Sequence, residues 1–431
     1  MKHILKTIIT FFLALAARAV VHRYHPRVVM VTGSVGKTST KDAVAAVLTT
    51  RFFTRKSEKS FNSEFGVPFT ILGVENPWSN PFAWFSVAKS ALALLLLQNH
   101  YPNLLVLEVG ADKPGDLARI LKIVTPDMCV VTRLPEVPVH VEAYASPEAV
   151  REEEFSPVYA LRAAAPLIVS ADDPYALEYA MRTSARLILY GTGGDAAVRL
   201  DDIDFYTEGE KVAGMRAKAR LCEESREYIV KGAVGTTQLL PIAAALAAAS
   251  AFEIPLVEAL EALQGYEPPP GRCRLLAGKQ GSIIIDDSYN SSPAAVEEAL
   301  ATLKAFPLPA GRQGMPGRRI AVLGDMLELG RYSVLEHERL ASVAAASADL
   351  IATVGIRARA FASAPGSAEV VQYESSRAAA TALPSLVREG DVILVKGSQS
   401  IRTERIVEAL LADPTDVSKL VRQEQKWKQK V

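Results

Sequence analysis

This sequence is short of cysteine and of any imbalance of charge. Three cysteines in 431 residues, Cys129, Cys222 and Cys273, stand far apart with no Cys-x-x-Cys spacing. Their spacing excludes a disulfide framework and a thiolate zinc site, and it fits a reducing compartment. Lys plus Arg and Asp plus Glu both total 48. With no global basic field, nucleic acid is not an expected partner. No internal repeat is present. The first apolar run, Thr7-Ile8-Ile9-Thr10-Phe11-Phe12-Leu13-Ala14-Leu15-Ala16-Ala17, is shorter than the roughly 20 residues needed to span a bilayer. What remains is 49% hydrophobic and 22% charged, ordinary for an α/β protein, in a chain long enough for two or three domains.

The stretch that organises the chain is Val31-Thr32-Gly33-Ser34-Val35-Gly36-Lys37-Thr38-Ser39-Thr40. It follows the apolar run Arg27-Val28-Val29-Met30, a buried strand, and leads into a helical pattern from Lys41. A strand, a glycine loop and a helix N-terminus make an anion site, because backbone N–H groups converge there and the helix dipole favours negative charge. Lys37 is placed to reach the terminal phosphates of a nucleotide, and the Thr38 hydroxyl its Mg²⁺. Only Ser34 and Val35 separate Gly33 from Gly-Lys-Thr, where the general phosphate-loop pattern has four residues. The expected ligand is ATP.

The remaining pattern predicts an α/β chain with two mostly parallel sheets, a central phosphate-loop domain and a Rossmann-like C-terminal one. Residues 82–97 read as a buried helix, or else as a second membrane-facing surface. The run Leu104-Leu105-Val106-Leu107-Glu108 is a parallel-type strand with a carboxylate at its ligand-facing end. Strands are also expected at 129–132 and 167–170, with His140 in the loop after the first. An antiparallel excursion follows over 192–228, then an alanine-rich helix over 239–252. A boundary falls at Pro268-Pro269-Pro270-Gly271, and strands follow at 282–286, 320–324, 350–354 and 392–395. The division is therefore 1–27, an apolar helix; 28–268; 269–415; and 416–431, a polar, frayed tail. Residues 307–319 read as a surface insertion. Residues 4–21 either cap the first domain's own core or touch a membrane peripherally, since basic residues flank them. Ala17-Arg18-Ala19 is a loose signal-peptide ending, but the nucleotide loop follows too soon for export to be expected.

Together these pieces resemble one family, the Mur ligases, ATP-dependent amide-bond formers of peptidoglycan synthesis. The resemblance is strongest to the branch that joins D-alanyl-D-alanine to UDP-N-acetylmuramoyl-tripeptide. It rests on the short phosphate loop 32–40 and on Ser60-Phe61-Asn62-Ser63-Glu64-Phe65-Gly66-Val67-Pro68. Glu108-Val109-Gly110-Ala111, His140-Val141-Glu142, Gly271-Arg272 and Asp286-Asp287-Ser288-Tyr289-Asn290-Ser291-Ser292-Pro293 extend it. Leu323-Gly324-Asp325-Met326-Leu327-Glu328-Leu329-Gly330, His337 and Val395-Lys396-Gly397-Ser398 complete it, over about 28–411.

The resemblance implies an ADP-forming ligase of the cytoplasm, placed at the inner face of the membrane if residues 4–21 bind there. A muropeptide-type carboxylate is phosphorylated by ATP, and an amine then attacks the acyl phosphate. The barrier is mostly charge repulsion between carboxylate and triphosphate, which cations must screen. The loop residues Gly33, Ser34, Val35, Gly36, Lys37, Thr38 and Ser39 would hold phosphates, and Thr38 and Glu108 one Mg²⁺. His140 would help hold a second metal. Arg272 suits a phosphate, Asp287 the ribose, Asn290 the adenine edge, and Lys396 a phosphate or the incoming substrate. Closure of the two domains would assemble the site.

Several plainer readings stand beside these. Glu108 suits a solvated strand end, His140 an exposed loop, Lys396 a strand-end lysine, and Arg274 is as basic as Arg272. One of Asp286 and Asp287 could cap the helix after Pro293. Where the family carries a carbamylated lysine fourteen residues after its metal histidine, this chain has Glu154, within Glu152-Glu153-Glu154. Glu154 either supplies that negative charge directly or belongs to a solvated helix face. Thr237 and Pro241 stand where the family has His and Asn. Only some thirty residues precede the loop where the family has a UDP-sugar domain, so a lipid-linked muropeptide is an expected alternative acceptor. The competing functions are a nucleotide-binding partner protein without turnover and an ATP-driven motor or transporter subunit.

Overall fold

The computed structural model describes residues 2–431 except 59–60, 78–79, 310–316, 365, 367, 425–426 and 428–431; for 2–6 and 81 it describes the backbone alone. Ser60, most of the 307–319 insertion, the side chains of 4–6 and the end of the tail therefore lie outside the described residues.

The first sheet is built from β1 (Arg27–Thr32), β2 (Thr54–Lys56), β3 (Leu104–Glu108), β4 (Met128–Val131), β5 (Pro166–Ser170), β6 (Arg186–Gly191), β7 (Val198–Glu208), β8 (Lys211–Leu221) and β9 (Glu224–Lys231). Their spatial order is β2-β3-β1-β4-β5-β6-β7-β8-β9. Strands β2 to β7 run parallel, and β7, β8 and β9 are antiparallel hairpins on the same sheet. The antiparallel excursion therefore extends this sheet. The parallel strands are covered on both faces, which is why β1, β3 and β4 are near-continuous apolar runs.

Helices α1 (Lys2–Tyr24), α2 (Lys37–Leu48), α3 (Gly66–Leu72), α4 (Pro81–Leu96), α5 (Asp116–Leu121), α6 (Pro147–Tyr159), α7 (Pro174–Ala180), α8 (Leu240–Ala251) and α9 (Leu256–Leu263) complete this half. Six of the nine buried positions of helix α8 are alanine, so it packs closely against α2. On the opposite face of the sheet α1, α3 and α4 share one core cluster.

The second sheet has the order β10-β11-β15-β12-β13-β14. Its strands are β10 (Arg274–Ala277), β11 (Ile283–Asp287), β12 (Arg319–Gly324), β13 (Leu350–Val354), β14 (Glu369–Tyr373) and β15 (Val392–Lys396). Only β10 is antiparallel to its neighbour. Around it lie α10 (Pro293–Ala305), α11 (Ser333–Ala345), α12 (Ser376–Ala382) and α13 (Glu404–Leu410).

Two expectations are corrected. The helix over 82–97 is not buried: α4 hides Val87 and Ala91 but leaves Phe82, Phe85, Leu92 and Leu96 exposed. The start of the tail is not frayed. Leu420, Val421 and Arg422 are buried against the second domain, with the Arg422 guanidinium 3.0 Å from Glu404.

Candidate active site

Register places the loop. Val31 of β1 pairs with Glu108 of β3, so the carboxylate ends beside the turn into α2. Gly33 (φ 115°) packs so closely on Thr132 that a Cβ would strike its hydroxyl. Gly36 (φ 88°) occupies the left-handed region at the start of α2. Lys37, the first residue of that helix, donates from Nζ to the Gly33 carbonyl.

Glu108 is buried, with Oε1 accepting from Thr38 Oγ1 at 3.2 Å and its backbone N–H donating to Ser57 Oγ at 3.1 Å. Its other oxygen, Oε2, is buried with no partner among the described residues. Burial pushes its pKa up, opposed by Lys41, Lys37, Thr38 and Arg272. A solvated strand end is thereby excluded. An orphaned carboxylate oxygen beside a threonine hydroxyl is an all-oxygen donor set, the kind a hard divalent cation takes.

Glu154 lies on α6, which starts at a Ser146 cap followed by Pro147. The side chain is only 3% exposed, so the solvated-face reading fails. Of the three glutamates only Glu152 is exposed; Glu153 accepts from the Gly115 and Leu117 N–H groups at 3.0 Å and so caps α5. Glu154 Oε2 accepts from Ser34 Oγ, and Oε1 is 3.9 Å from Lys37 Nζ. Its backbone carbonyl accepts from Thr32 Oγ1 at 2.5 Å. Burial raises its pKa, and Lys37, Ser34 and His140 pull it back.

His140 is half-buried in a left-handed turn (φ 65°). Its Nδ1 is 2.8 Å from Glu328 of the second domain and its Nε2 3.6 Å from Asp112. Burial works against protonation, but the Glu328 hydrogen bond and charge, joined by Asp112, outweigh it and raise the pKa.

Ser34, Lys37, Thr38, Glu108, His140 and Glu154 face Arg272 and Asn290 across one cleft of about 650 Å³ between the two domains. Arg272 lies 4.2 Å over the Tyr289 ring, whereas Arg274 is near Glu267 and lines a separate hollow. Gly36 joins this lining, while Ser39 is buried behind the loop and Val35 bridges to Arg133. Asp287 and Lys396 are not on the wall: Lys396 Nζ, 2% exposed, donates to Asp287 Oδ2 at 2.5 Å and to the Asn290 carbonyl at 3.1 Å. Neither Asp286 nor Asp287 caps α10; Ser292 does, accepting from Ala295 N–H.

His337 is fully buried, with Nε2 accepting from Met326 N–H at 3.0 Å and Nδ1 facing the Ser333 carbonyl at 2.6 Å. Burial lowers its pKa, so the neutral ring ties the 324–330 loop to α11 and is not free to meet a nucleotide. Sequence reasoning assigned no role to Asp112, Glu328, Arg402 or Trp427, all of which line the cleft. Only Glu328, inside a quoted motif, left a signal.

Two α/β domains facing each other across a phosphate loop make the nucleotide cleft that a nucleotide-dependent ligase uses. The chain belongs to the Mur ligase family: residues 31–249 match the Mur ligase middle domain and 271–399 the Mur ligase, glutamate ligase domain. It is 28% identical over 415 residues to the UDP-N-acetylmuramoyl-tripeptide–D-alanyl-D-alanine ligase of Bacillus subtilis, covering 92% of this chain and 79% of that one. Against the Escherichia coli enzyme of the same name it is 28% identical over 403 residues, with 90% and 78% covered. The crystal structure of MurF ligase from Thermotoga maritima in complex with ADP superposes with a TM-score of 0.75 at 26% identity, covering 95% of this chain and 84% of that one. This chain is accordingly an ATP-dependent, ADP-forming ligase of cell-wall peptidoglycan synthesis.

Proposed function

We propose that the protein joins D-alanyl-D-alanine, through its amine, to the carboxylate of a UDP-N-acetylmuramoyl-tripeptide, by way of an acyl phosphate. The observation that carries this reading is the shared cleft, where Lys37 and the α2 N-terminus face Arg272 and Asn290 of the other domain. The domains are 28–268 and 269–415. The loop amides and Lys37 hold the β and γ phosphates, and Arg272 adds charge from the opposite wall. Thr38 and Glu108 would hold Mg²⁺, which when bound screens the triphosphate from the approaching carboxylate. His140 and Glu154, which line the same cleft, would hold a second ion that screens the γ-phosphate from the substrate carboxylate. Asp287 and Lys396 reach the nucleotide or substrate only if closure opens their pair. The enzyme works in the cytoplasm, with residues 4–21 resting on the inner face of the membrane.

Mass spectrometry of product from UDP-N-acetylmuramoyl-tripeptide, D-alanyl-D-alanine and ATP tests this, with Glu154→Ala run alongside. Product from the wild type and its loss in the variant is the expected result. Tight ADP binding without product from that pair would overturn the reading in favour of another acceptor or a partner protein without turnover.

A further inference from the structure

We propose that α1 and α4 together form a docking face for a bilayer carrying anionic lipid. The proposal rests on the membrane reading above and adds to it a second helix and a headgroup charge.

Helix α1 exposes Ile8, Phe11, Phe12 and Leu15, an i, i+3, i+4, i+7 stripe, while Leu13, Ala17 and Val20 on its other side are buried. Helix α4 repeats the arrangement: Phe82 is 85% and Phe85 76% exposed, and Leu92 and Leu96 continue their stripe above buried Val87 and Ala91. The two inner sides join one core cluster on the same face of the sheet. Their C-terminal ends are tied: Arg23 donates to the Leu95 and Leu97 carbonyls at 2.7 and 3.2 Å, and Tyr24 to Leu94 at 2.8 Å. Both stripes therefore point away from the sheet together. Single exposed leucines are ordinary; eight large apolar side chains on two neighbouring helices are a surface built for contact.

Charge identifies the occupant. The chain as a whole is neutral, yet residues 1–41 contain no Asp or Glu, and neither do residues 76–107. The basic residues on α1 and α4 themselves are Lys2, Lys6, Arg18, Arg23 and Lys89. Beside α1 runs a groove of about 620 Å³, with Phe11, Leu15 and Ile123 for apolar wall and Arg18 and Lys122 for charge. Its one carboxylate, Glu64, is 2.8 Å from Arg119, which Asp116 also holds, so that guanidinium is already neutralised. Apolar side chains with adjacent cations match acyl chains beneath anionic headgroups. A second copy of this face would bring like charges together across a two-fold axis. The 18-residue segment Thr7–Tyr24 is long and apolar enough to cross a membrane. Its inner side, however, is committed to α3 and α4, so the helix lies in the interface plane. Asn62 lines the ligase cleft and Glu64 the groove, so the docked face lies next to the site of reaction.

Co-sedimentation of the full chain with phosphatidylcholine vesicles, with and without phosphatidylglycerol, tests the proposal, using Phe12→Glu and Phe85→Glu separately. Both side chains are exposed, and an unchanged melting temperature and ADP affinity confirm that each variant is folded. The expected result is binding only where phosphatidylglycerol is present, weakened by salt, and reduced about tenfold or more by either substitution. Loss with Phe12→Glu but not Phe85→Glu overturns the two-helix face and leaves the α1 reading standing. No partition by the wild type overturns both. Equal binding to phosphatidylcholine overturns the headgroup assignment, and self-association abolished by the same variants in place of vesicle binding overturns the bilayer as occupant.

Discussion

Glu328 Oε2 lies 2.8 Å from His140 Nδ1, and this contact joins the second domain to the loop after β4 across the nucleotide cleft. Both residues hold a left-handed backbone, each with φ 65°. Such conformations persist where surrounding structure over-determines them, and they cluster at functional sites. Glu142 N–H donates to the Glu328 carbonyl at 3.3 Å, so backbone and side chain act on the same bridge.

Glu328→Gln keeps a hydrogen-bonding group and removes the charge. A half-buried charged bond between domains is worth about 1 kcal/mol net, so kcat/KM falls about fivefold, and further in Glu328→Ala. Steady-state kinetics with ATP saturating checks this. Unchanged kcat/KM in the alanine variant would show that the bridge plays no part in assembling the closed site.

The Lys396–Asp287 pair is buried on both sides, at 2.5 Å. Removing one partner leaves the other charged and desolvated. Lys396→Met is therefore expected to cost about 3 kcal/mol of stability by urea unfolding. The double variant Lys396→Met/Asp287→Leu should recover most of it. Recovered stability without recovered ligation would assign Lys396 to the reaction. Recovery of both would make the pair a structural one.

Asp286 gives a pH dependence. It is fully buried, its Oδ1 accepts from Ser288 N–H at 3.1 Å, and Oδ2 has no partner among the described residues. Burial raises its pKa to about 6, the Ser288 bonds oppose this, and Asp287 and Glu404 add to it. A folded pKa above the unfolded one means the proton is held more tightly in the folded state. The associated stability is full below the unfolded carboxylate value and is lost as pH rises through about 6. The loss is on the order of 3 kcal/mol. Unfolding free energies measured from pH 4 to 8 should fall over that interval, and Asp286→Asn should flatten the fall.

Much of the fold was legible because parallel strands buried on both faces write themselves as apolar runs, as β1, β3 and β13 do. The strands that went unread are the edge strands β2, β10 and β14 and the interior β6, whose first residues, Arg186 and Leu187, are exposed. The side chains of β2 (Thr54–Lys56) and β14 (Glu369–Tyr373) are exposed or half-exposed throughout and mixed in character. At the site, residues fixed by local geometry were readable: a loop glycine, the first lysine of a helix, a carboxylate ending a strand. Glu328 and Trp427 were not, because their roles depend on how the second domain closes over the first. Nor does the sequence distinguish a buried helix from α4, since an apolar run shows no direction until its neighbours cover one side.

The segment after residue 419 is anchored on the second domain. Leu420 and Val421 are buried, and Arg422 donates to the Ser288 carbonyl at 3.1 Å and to that of Tyr289 while pairing with Glu404. Arg402 donates to the Trp427 carbonyl at 2.8 Å and lies 5.5 Å over its ring, which brings the indole to the cleft wall with Tyr289 and Asn290. The tail thus anchors through Arg422 and presents Trp427 to the site. If the indole packs on bound nucleotide, Trp427→Ala costs about 1 kcal/mol of binding and raises the KM for ATP about fivefold with kcat unchanged. Arg422→Ala should do this and also destabilise the fold, since Glu404 is buried and loses a cation. A rise in the KM for the amine alone would instead assign the indole to the wall of the acceptor site. That split follows from geometry, because a residue held over the cleft by two arginines can narrow it for one substrate without touching the other.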